Sequence, residues 1–237
     1  EILMKAIKKN KNIFVEKPIC LKKYELDEIQ KLLNKKKELI FFSGFNRRFS
    51  NYAKIMRDFV NKQDGPVVVN YDVNTEVLDN NSWIYKKEGG GRNIGEACHF
   101  YDLFLFLIDK QIKNINVSSL NFEKVKFHKT DNFFVIIEFK DSSLAKLNYT
   151  VMGGGEKKKE FIKIQGSHET LEIVDFKSAM LTTKNGRKEL MSSTYSNKGH
   201  DILIKKFLDT ILHGNKDVSF DSIIKSMDLT FKIEELL

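Results

Sequence analysis

His99 has the surroundings in this chain that look most like chemistry. It lies in Gly89-Gly90-Gly91-Arg92-Asn93-Ile94-Gly95-Glu96-Ala97-Cys98-His99-Phe100-Tyr101-Asp102, which runs straight into the apolar stretch Leu103 to Ile108. Three glycines end whatever precedes, and the pattern after them has helical length, so a helix is expected from Arg92 to about Ile108. Residues three and four apart share a helix face. That places Gly95, His99 and Asp102 on one side, with Glu96 one turn before the imidazole. A histidine flanked by two carboxylates can take and return a proton near neutral pH. The same histidine can equally be a core residue satisfied by its neighbours, and the stretch alone leaves both readings open.

Lys17, in Val15-Glu16-Lys17-Pro18, is the second candidate. A proline directly after an apolar strand ends it and exposes the lysine at the strand's C-terminal edge, where open α/β sheets bind ligands. An amine there can hydrogen-bond a substrate hydroxyl or a ribose; the plainer alternative is a surface lysine in a turn. A dinucleotide loop would need G-x-G-x-x-G between strand and helix. Gly89 and Gly91 are followed by Ile94 at the third position, and Gly153 and Gly155 by Lys158, so neither run fits. Cys20 and Cys98 have neither a disulfide framework nor zinc-site spacing, and no metal is expected. Adjacent helical residues point about 100° apart, so Cys98 and His99 do not form a nucleophile–base pair.

The elements that must position these residues follow from periodicity. Ile2 to Lys9 reads as the last turns of a helix with Ile2, Leu3, Ala6 and Ile7 on one face. Asn12 to Glu16 is a short buried strand. Leu21 to Lys37 is an amphipathic helix with Leu21, Tyr24, Ile29, Leu32 and Leu33 inward, and Glu38 to Gly44 is another strand. This is the grammar of a doubly wound sheet, of which only the final portion is present. Phe45-Asn46-Arg47-Arg48-Phe49 follows as a loop, and Asn51 to Lys62 as a helix. After Gly65-Pro66 come a strand from Val67 to Val73 and a long connection containing Trp83. The β segments beyond the His99 helix are Ile112–Phe122, Phe133–Lys140, Ser143–Val151, Glu160–Gln165, Leu171–Phe176, Ala179–Thr183 and Lys188–Met191, the last two joined by an Asn185-Gly186 hairpin signal. Two helices close the chain. One runs from about His200 to His213 with Leu203, Phe207, Leu208, Ile211 and Leu212 as its stripe. The other is capped by Ser219 and buries Ile223, Ile224, Met227 and Phe231. The expected class is α+β: the last strand–helix–strand portion of a truncated α/β unit over 1–48, then a mostly antiparallel, open-faced sheet with helices on one face over 49–237.

Forty basic against thirty-two acidic residues leave the 237-residue chain at +8. The lysines are dispersed: Lys8-Lys9-Lys11, Lys35-Lys36-Lys37 and Lys157-Lys158-Lys159 fall at element ends and loops, with no nucleic-acid module around them. No nucleic-acid partner is expected, while anionic substrates or cofactors remain compatible. No apolar run reaches membrane-spanning length and no signal peptide opens the chain, so a soluble cytoplasmic protein without membrane contact is expected. Glu1 stands where a chain start would carry Met, and Ile2-Leu3-Met4 opens directly in a helical pattern. The chain therefore reads as the middle of a longer polypeptide.

In their order, the Glu-Lys-Pro strand, a helix, a strand leading into Gly-Phe-Asn-Arg-Arg-Phe, and a Gly-Gly-Gly…His-x-x-Asp helix before an open sheet resemble the glucose–fructose oxidoreductase, inositol dehydrogenase and MocA family. The resemblance covers nearly the whole chain. It implies an N-terminal dinucleotide-binding (Rossmann) domain, typically ~100–150 residues, of which 1–48 is the remnant and 49–237 the substrate-binding and oligomerisation domain. The implied cofactor is NAD or NADP, its main binding loop lying outside these residues, and Glu16, Lys17 and Pro18 form the cofactor-side motif with a typically cis Lys–Pro bond. Lys17 matches the lysine that bridges the nicotinamide ribose and the substrate hydroxyl, and His99 the histidine that exchanges the hydroxyl proton. Members often carry an aspartate where this chain has Gly95. Either Glu96 or Asp102 substitutes for it, or Lys17 and His99 act alone. Asn46, Arg47, Arg48 and Trp83 lie where substrate-contacting loops fall. The implied reaction moves hydride between a sugar, cyclitol or nucleotide-sugar carbon and a nicotinamide; this chain alone is expected to bind NAD(H) weakly or not at all and to be inactive. The implied assembly is a homo-oligomer through an apolar open sheet face. The alternative is a binding and oligomerisation module that has lost cofactor binding. Gly-Phe-Asn-Arg-Arg-Phe together with Gly-Glu-Ala-Cys-His-Phe is similar to a branch in which this module follows a zinc-type alcohol-dehydrogenase-like half.

Overall fold

A short α/β segment opens the chain: helix α1 (Ile2–Lys8), strand β1 (Ile13–Val15), helix α2 (Lys23–Asn34) and strand β2 (Phe41–Ser43). The computed structural model describes residues 1–79, 81–120, 127–153, 159–214 and 219–237. β1 and β2 pair in parallel, Ile13 opposite Phe41 and Val15 opposite Ser43, as a helical crossover requires. The α2 entry is fixed by Glu25, whose carboxylate accepts from the backbone N–H groups of Leu21 and Lys22 at 3.1 Å, satisfying donors that the helix leaves open. Ile7, Ile13, Leu26, Ile29, Leu33 and Phe41 form the core of this segment. Two inward assignments are corrected: Ile2 and Tyr24 are exposed, because Ile7 and Leu26 already fill the faces that meet the strands.

Beyond Ser50, whose hydroxyl accepts from the Ala53 N–H at 3.0 Å, helix α3 (Asn51–Asn61) leads to strand β3 (Val68–Asn74). A π-helical turn (Asn93–Ala97) runs into helix α4 (Cys98–Leu107), followed by strands β4 (Ile112–Ser119), β5 (Phe133–Phe139), β6 (Leu144–Thr150), β7 (Glu160–Gly166), β8 (Glu169–Val174), β9 (Ser178–Thr183) and β10 (Gly186–Ser192). Helices α5 (His200–His213) and α6 (Phe220–Leu236) close the chain. Expected strand positions 121 and 122 and the cluster Lys157-Lys158 lie outside the described residues.

The strands β3 to β10 make one eight-stranded sheet in the order β10-β9-β8-β7-β3-β6-β5-β4. Only the β3–β6 pair is parallel; the other neighbours are antiparallel. The mostly antiparallel, helix-on-one-face architecture is the expected one. Alternation with period two turns Val69, Tyr71, Val135, Leu147, Ile162 and Ile173 toward α3, α4 and α6, and these residues form the main core. The hairpin turn is Lys184-Asn185, one residue earlier than expected, since Gly186 already pairs with Thr183.

Two further expectations are corrected by the packing. The open sheet face is not continuously apolar. The same alternation that buries one set of residues presents Asn70, Asp72, Lys146, Asn148 and Lys163 beside the exposed Phe134 and Ile136, and Asn148 donates to Asp72 at 3.0 Å. The α5 stripe is only partly inward. Leu203 is buried and Phe207 packs on Phe14 and Phe42 (5.5 and 5.4 Å), whereas Leu208, Ile211 and Leu212 are exposed. Among the described residues no helix is long and apolar enough to cross a membrane.

Candidate functional site

Lys17 and His99, far apart in the chain, belong to one neighbourhood. The Lys17–Pro18 peptide bond is cis, and the Lys17 ammonium donates to the Gly95 carbonyl at 2.7 Å. Gly95 sits in the π turn, directly ahead of the helix that carries His99. The Glu16 carboxylate lies over Gly44, where any side chain would collide with it. The C-terminal ends of the parallel strands β1 and β2 therefore face the N-terminal end of α4.

His99 is 8% exposed, with its ring edge-on to Phe45 at 6.1 Å. Its Nδ1 is buried without a hydrogen-bond partner among the described residues. Burial, joined by the positive charges of Arg47, Lys17, His200 and Lys198, pushes His99 well below its ordinary range, so the imidazole is neutral. A neutral ring can accept a proton, and a buried nitrogen left unpaired costs about 1–3 kcal/mol. Both properties suit a group whose partner arrives with a ligand.

The expected pair of carboxylates around this histidine is corrected. Glu96 accepts from the Tyr149 hydroxyl at 2.5 Å and lies 3.5 Å from both Arg92 and Lys159. Burial works against its charge, but the Tyr149 bond and the charges of Lys159, Arg92 and Lys17 hold it below the usual carboxylate range. Glu96 is thus an ionised group beside Lys17 with a side chain 18% exposed. Asp102 is turned elsewhere. It is fully buried, paired with the Arg48 guanidinium, which donates through Nε at 2.8 Å and also through Nη2, and with the Ser226 hydroxyl at 2.8 Å. The π turn (Asn93–Ala97) shifts Gly95 out of the regular spacing to His99, whereas Asp102, in the same regular helix as His99, is drawn away by Arg48 and Ser226. Gly95 has a steric cause: a Cβ there would meet the Gly89 carbonyl oxygen at 2.9 Å, so an aspartate does not fit.

The loop residues expected at the substrate divide in the same way. Arg48 is committed to Asp102 and, through Nη1, to Ser222 at 2.9 Å. Arg47 is buried in a two-pronged pair with Glu160 (2.9 and 2.8 Å) and lies over the Phe100 ring at 5.0 Å. Asn46 is buried and donates to the Lys198 carbonyl at 2.8 Å. In this geometry all three hold structure around the site rather than facing into it. Trp83 is 65% exposed in a short 3-10 turn (Trp83–Tyr85) whose neighbour Ile84 packs against Gly95, so it stands at the rim. The thiols are quiet: burial pushes Cys98 up to about 11 and Cys20 up to about 12. No group of residues that could hold a metal ion occurs among the described residues.

Residues 64–226 match the family model for the C-terminal α/β domain of the glucose–fructose oxidoreductase, inositol dehydrogenase and MocA oxidoreductases. The chain belongs to this oxidoreductase family. It is 25% identical over 158 residues to a myo-inositol 2-dehydrogenase from Thermotoga maritima, a match covering 62% of this chain and 45% of that enzyme, so the chain spans less than half of that relative's length. Among solved structures it resembles a UDP-N-acetylglucosamine 3-dehydrogenase from Acidithiobacillus ferrooxidans (TM-score 0.82, 11% identity, covering all of this chain and 74% of that one). It also resembles an NAD binding oxidoreductase from Klebsiella pneumoniae (TM-score 0.80, 16% identity, 99% and 74%). At these identities the structural likeness speaks for the fold.

Within this member of the oxidoreductase family, sequence reasoning missed half of the polar framework. Glu160 opens β7 and gathers Arg47, the Tyr71 hydroxyl and Lys198. Arg47 and Lys198 hold its carboxyl down at about 2 against the opposing effect of burial. Tyr149, on β6, serves Glu96 in the same manner. The one available signal was a carboxylate at an inward-facing first position of a strand whose other inward residues are Ile162 and Ile164; its partners come from distant segments.

Proposed function

We propose that this chain is the substrate-binding and proton-transferring part of an NAD(P)-dependent oxidoreductase acting on a hydroxyl or keto group of a sugar, cyclitol or nucleotide-sugar. The observation that carries the reading is the meeting of the Lys17 ammonium with the Gly95 carbonyl, immediately ahead of a neutral, buried His99. The residues present fit the nicotinamide end of such a cofactor. A cation and an adjacent proline stand at the C-terminal ends of two parallel strands, where open α/β sheets take their ligands, and His99 Nδ1 is a buried polar atom awaiting a partner. Glu16, Lys17 and Pro18 would hold that end. When bound, the nicotinamide supplies or takes the hydride.

The chain's own residues do the remainder. Lys17 hydrogen-bonds the reacting hydroxyl and stabilises the oxygen as it becomes alkoxide-like. The His99 imidazole accepts the hydroxyl proton during alcohol oxidation and returns it in the reverse direction. Glu96, kept ionised by Tyr149, Arg92 and Lys159, lies on the side of Lys17, where it can accept from a second substrate hydroxyl. Residues 1–48 form the cofactor side of the cleft and 49–237 the substrate side. The test is turnover of His99→Ala and Lys17→Met in a polypeptide that includes the dinucleotide-binding part. A fall of about 10²–10⁴-fold for each, with an unchanged melting temperature, is expected; near-full turnover in either variant contradicts the reading.

A further inference from the structure

Around His99 the balance of charge is positive, and the way its cations are held says which of them are free to meet a ligand. The Glu160 carboxylate, 1% exposed, takes Arg47 through Nε and Nη2, Lys198 through Nζ, and the Tyr71 hydroxyl. One carboxylate cancels only one of those two positive charges. Arg47 is the sealed member, 7% exposed and lying on Phe100, whereas Lys198 keeps 23% of its side chain open. Lys198 is also placed from its backbone. Asn46 donates to its carbonyl at 2.8 Å. The next residue, Gly199 (φ +82°), packs so closely on the 46–50 turn that a Cβ would strike the Ser50 nitrogen at 2.5 Å. Lys17 is held by a neutral carbonyl, which orients its charge without cancelling it. Glu96, the nearby carboxylate, is already committed to Arg92, Lys159 and Tyr149.

We infer that the substrate carries an anionic group, a carboxylate or phosphate on its sugar-like frame, and that Lys198 receives it. The inference rests on the site reading given above and sharpens it. It also resolves a difficulty in that reading. Alcohol oxidation leaves the proton on His99, forming an imidazolium among Arg47, Lys17 and Lys198, and like charges at close range oppose that step. An anion seated at Lys198 offsets the added charge during the transfer. Lys198 contacts the substrate in this account without taking part in the proton transfer.

The test uses one ring with three charges: glucose, glucuronate and glucose 1-phosphate, each titrated into the 237-residue chain while the backbone amide resonances of Gly95 and Gly199 are followed. At least one charged sugar should bind about tenfold more tightly than glucose, as charge-assisted hydrogen bonds do. The advantage should shrink with added salt, disappear in Lys198→Ala and persist in Lys198→Arg. A preference for glucuronate alone identifies a carboxylate, and one for glucose 1-phosphate alone a phosphate. Lys113→Ala, at the far edge of the sheet on β4, should leave the preference intact, which separates a site from the general attraction of a basic chain. Equal affinity for all three sugars, or a preference that survives Lys198→Ala, overturns the inference while leaving the site reading standing. No response of Gly95 or Gly199 to any of the three overturns the inference, while the site reading falls only if His99→Ala or Lys17→Met keeps near-full turnover.

Discussion

The two ends of the helical segment from Asn93 to Leu107 treat a buried carboxylate in opposite ways. At one end Asp102 is closed off, gripped by Arg48 and Ser226 between α4 and α6. At the other, Glu96 is held by Tyr149, Arg92 and Lys159 yet stays partly open on the side of Lys17. Both are charged groups paired inside the fold. The closed pair joins helices, and the open one leaves a face for a ligand. Sequence spacing treated them as equivalent partners of His99; their surroundings separate them.

Breaking the closed end should have the largest effect on stability. Arg48→Ala leaves the Asp102 charge buried without its main partner and should cost about 3–5 kcal/mol, read by chemical denaturation. A loss under about 1 kcal/mol would remove the distinction between the two ends. The open end should behave in reverse: His99→Ala leaves unfolding within about 1 kcal/mol of the parent chain while turnover in the cofactor-loaded enzyme falls by the two to four orders of magnitude stated above.

Acid sharpens the comparison further. Because folding depresses the His99 pKa, the unfolded chain binds that proton first. This contribution is constant above the unfolded value of about 6.5, and stability declines as pH falls below it toward the folded pKa. His99→Gln cannot titrate, so its stability should fall less between pH 7 and pH 5 than that of the parent chain. Parallel pH profiles would show that His99 is not held neutral. The smallest effect belongs to Tyr149→Phe, which removes one hydrogen bond from Glu96 at a cost of about 0.5–1.5 kcal/mol. It should raise the Glu96 pKa, visible in carboxyl carbon NMR; an unmoved titration would place the control of Glu96 elsewhere.

Most of the fold was legible because its elements declare themselves locally. The run from Phe133 to Phe139 is aromatic and β-branched, α6 has its Ser219 cap and its buried Ile223, Ile224, Met227 and Phe231, and the Lys-Pro pair punctuates the end of β1. Exposure was harder to read. The apolar residues of α5 follow a helical period, but the surface they would cover is only partly supplied by β1 and β2. Of the proposed site, the two candidate groups Lys17 and His99 stand out in the sequence, and their support does not. Glu160, Lys198, Tyr71 and Tyr149 reach their partners through tertiary pairing, and nothing near Arg47 in the chain indicates that its counter-charge starts a strand more than a hundred residues on. The π turn also lay beyond a regular helical period, and with it the offset of Gly95 from His99.

The account depends on the Lys17 amine acting on the His99 imidazole across the cleft, and nitrogen-15 NMR titration of His99 in the parent chain and in Lys17→Met tests this directly. His99 should stay neutral well below pH 6.5 in the parent and take up its proton at higher pH once the Lys17 charge is gone. An identical His99 titration in the two proteins would mean that the groups do not share a site.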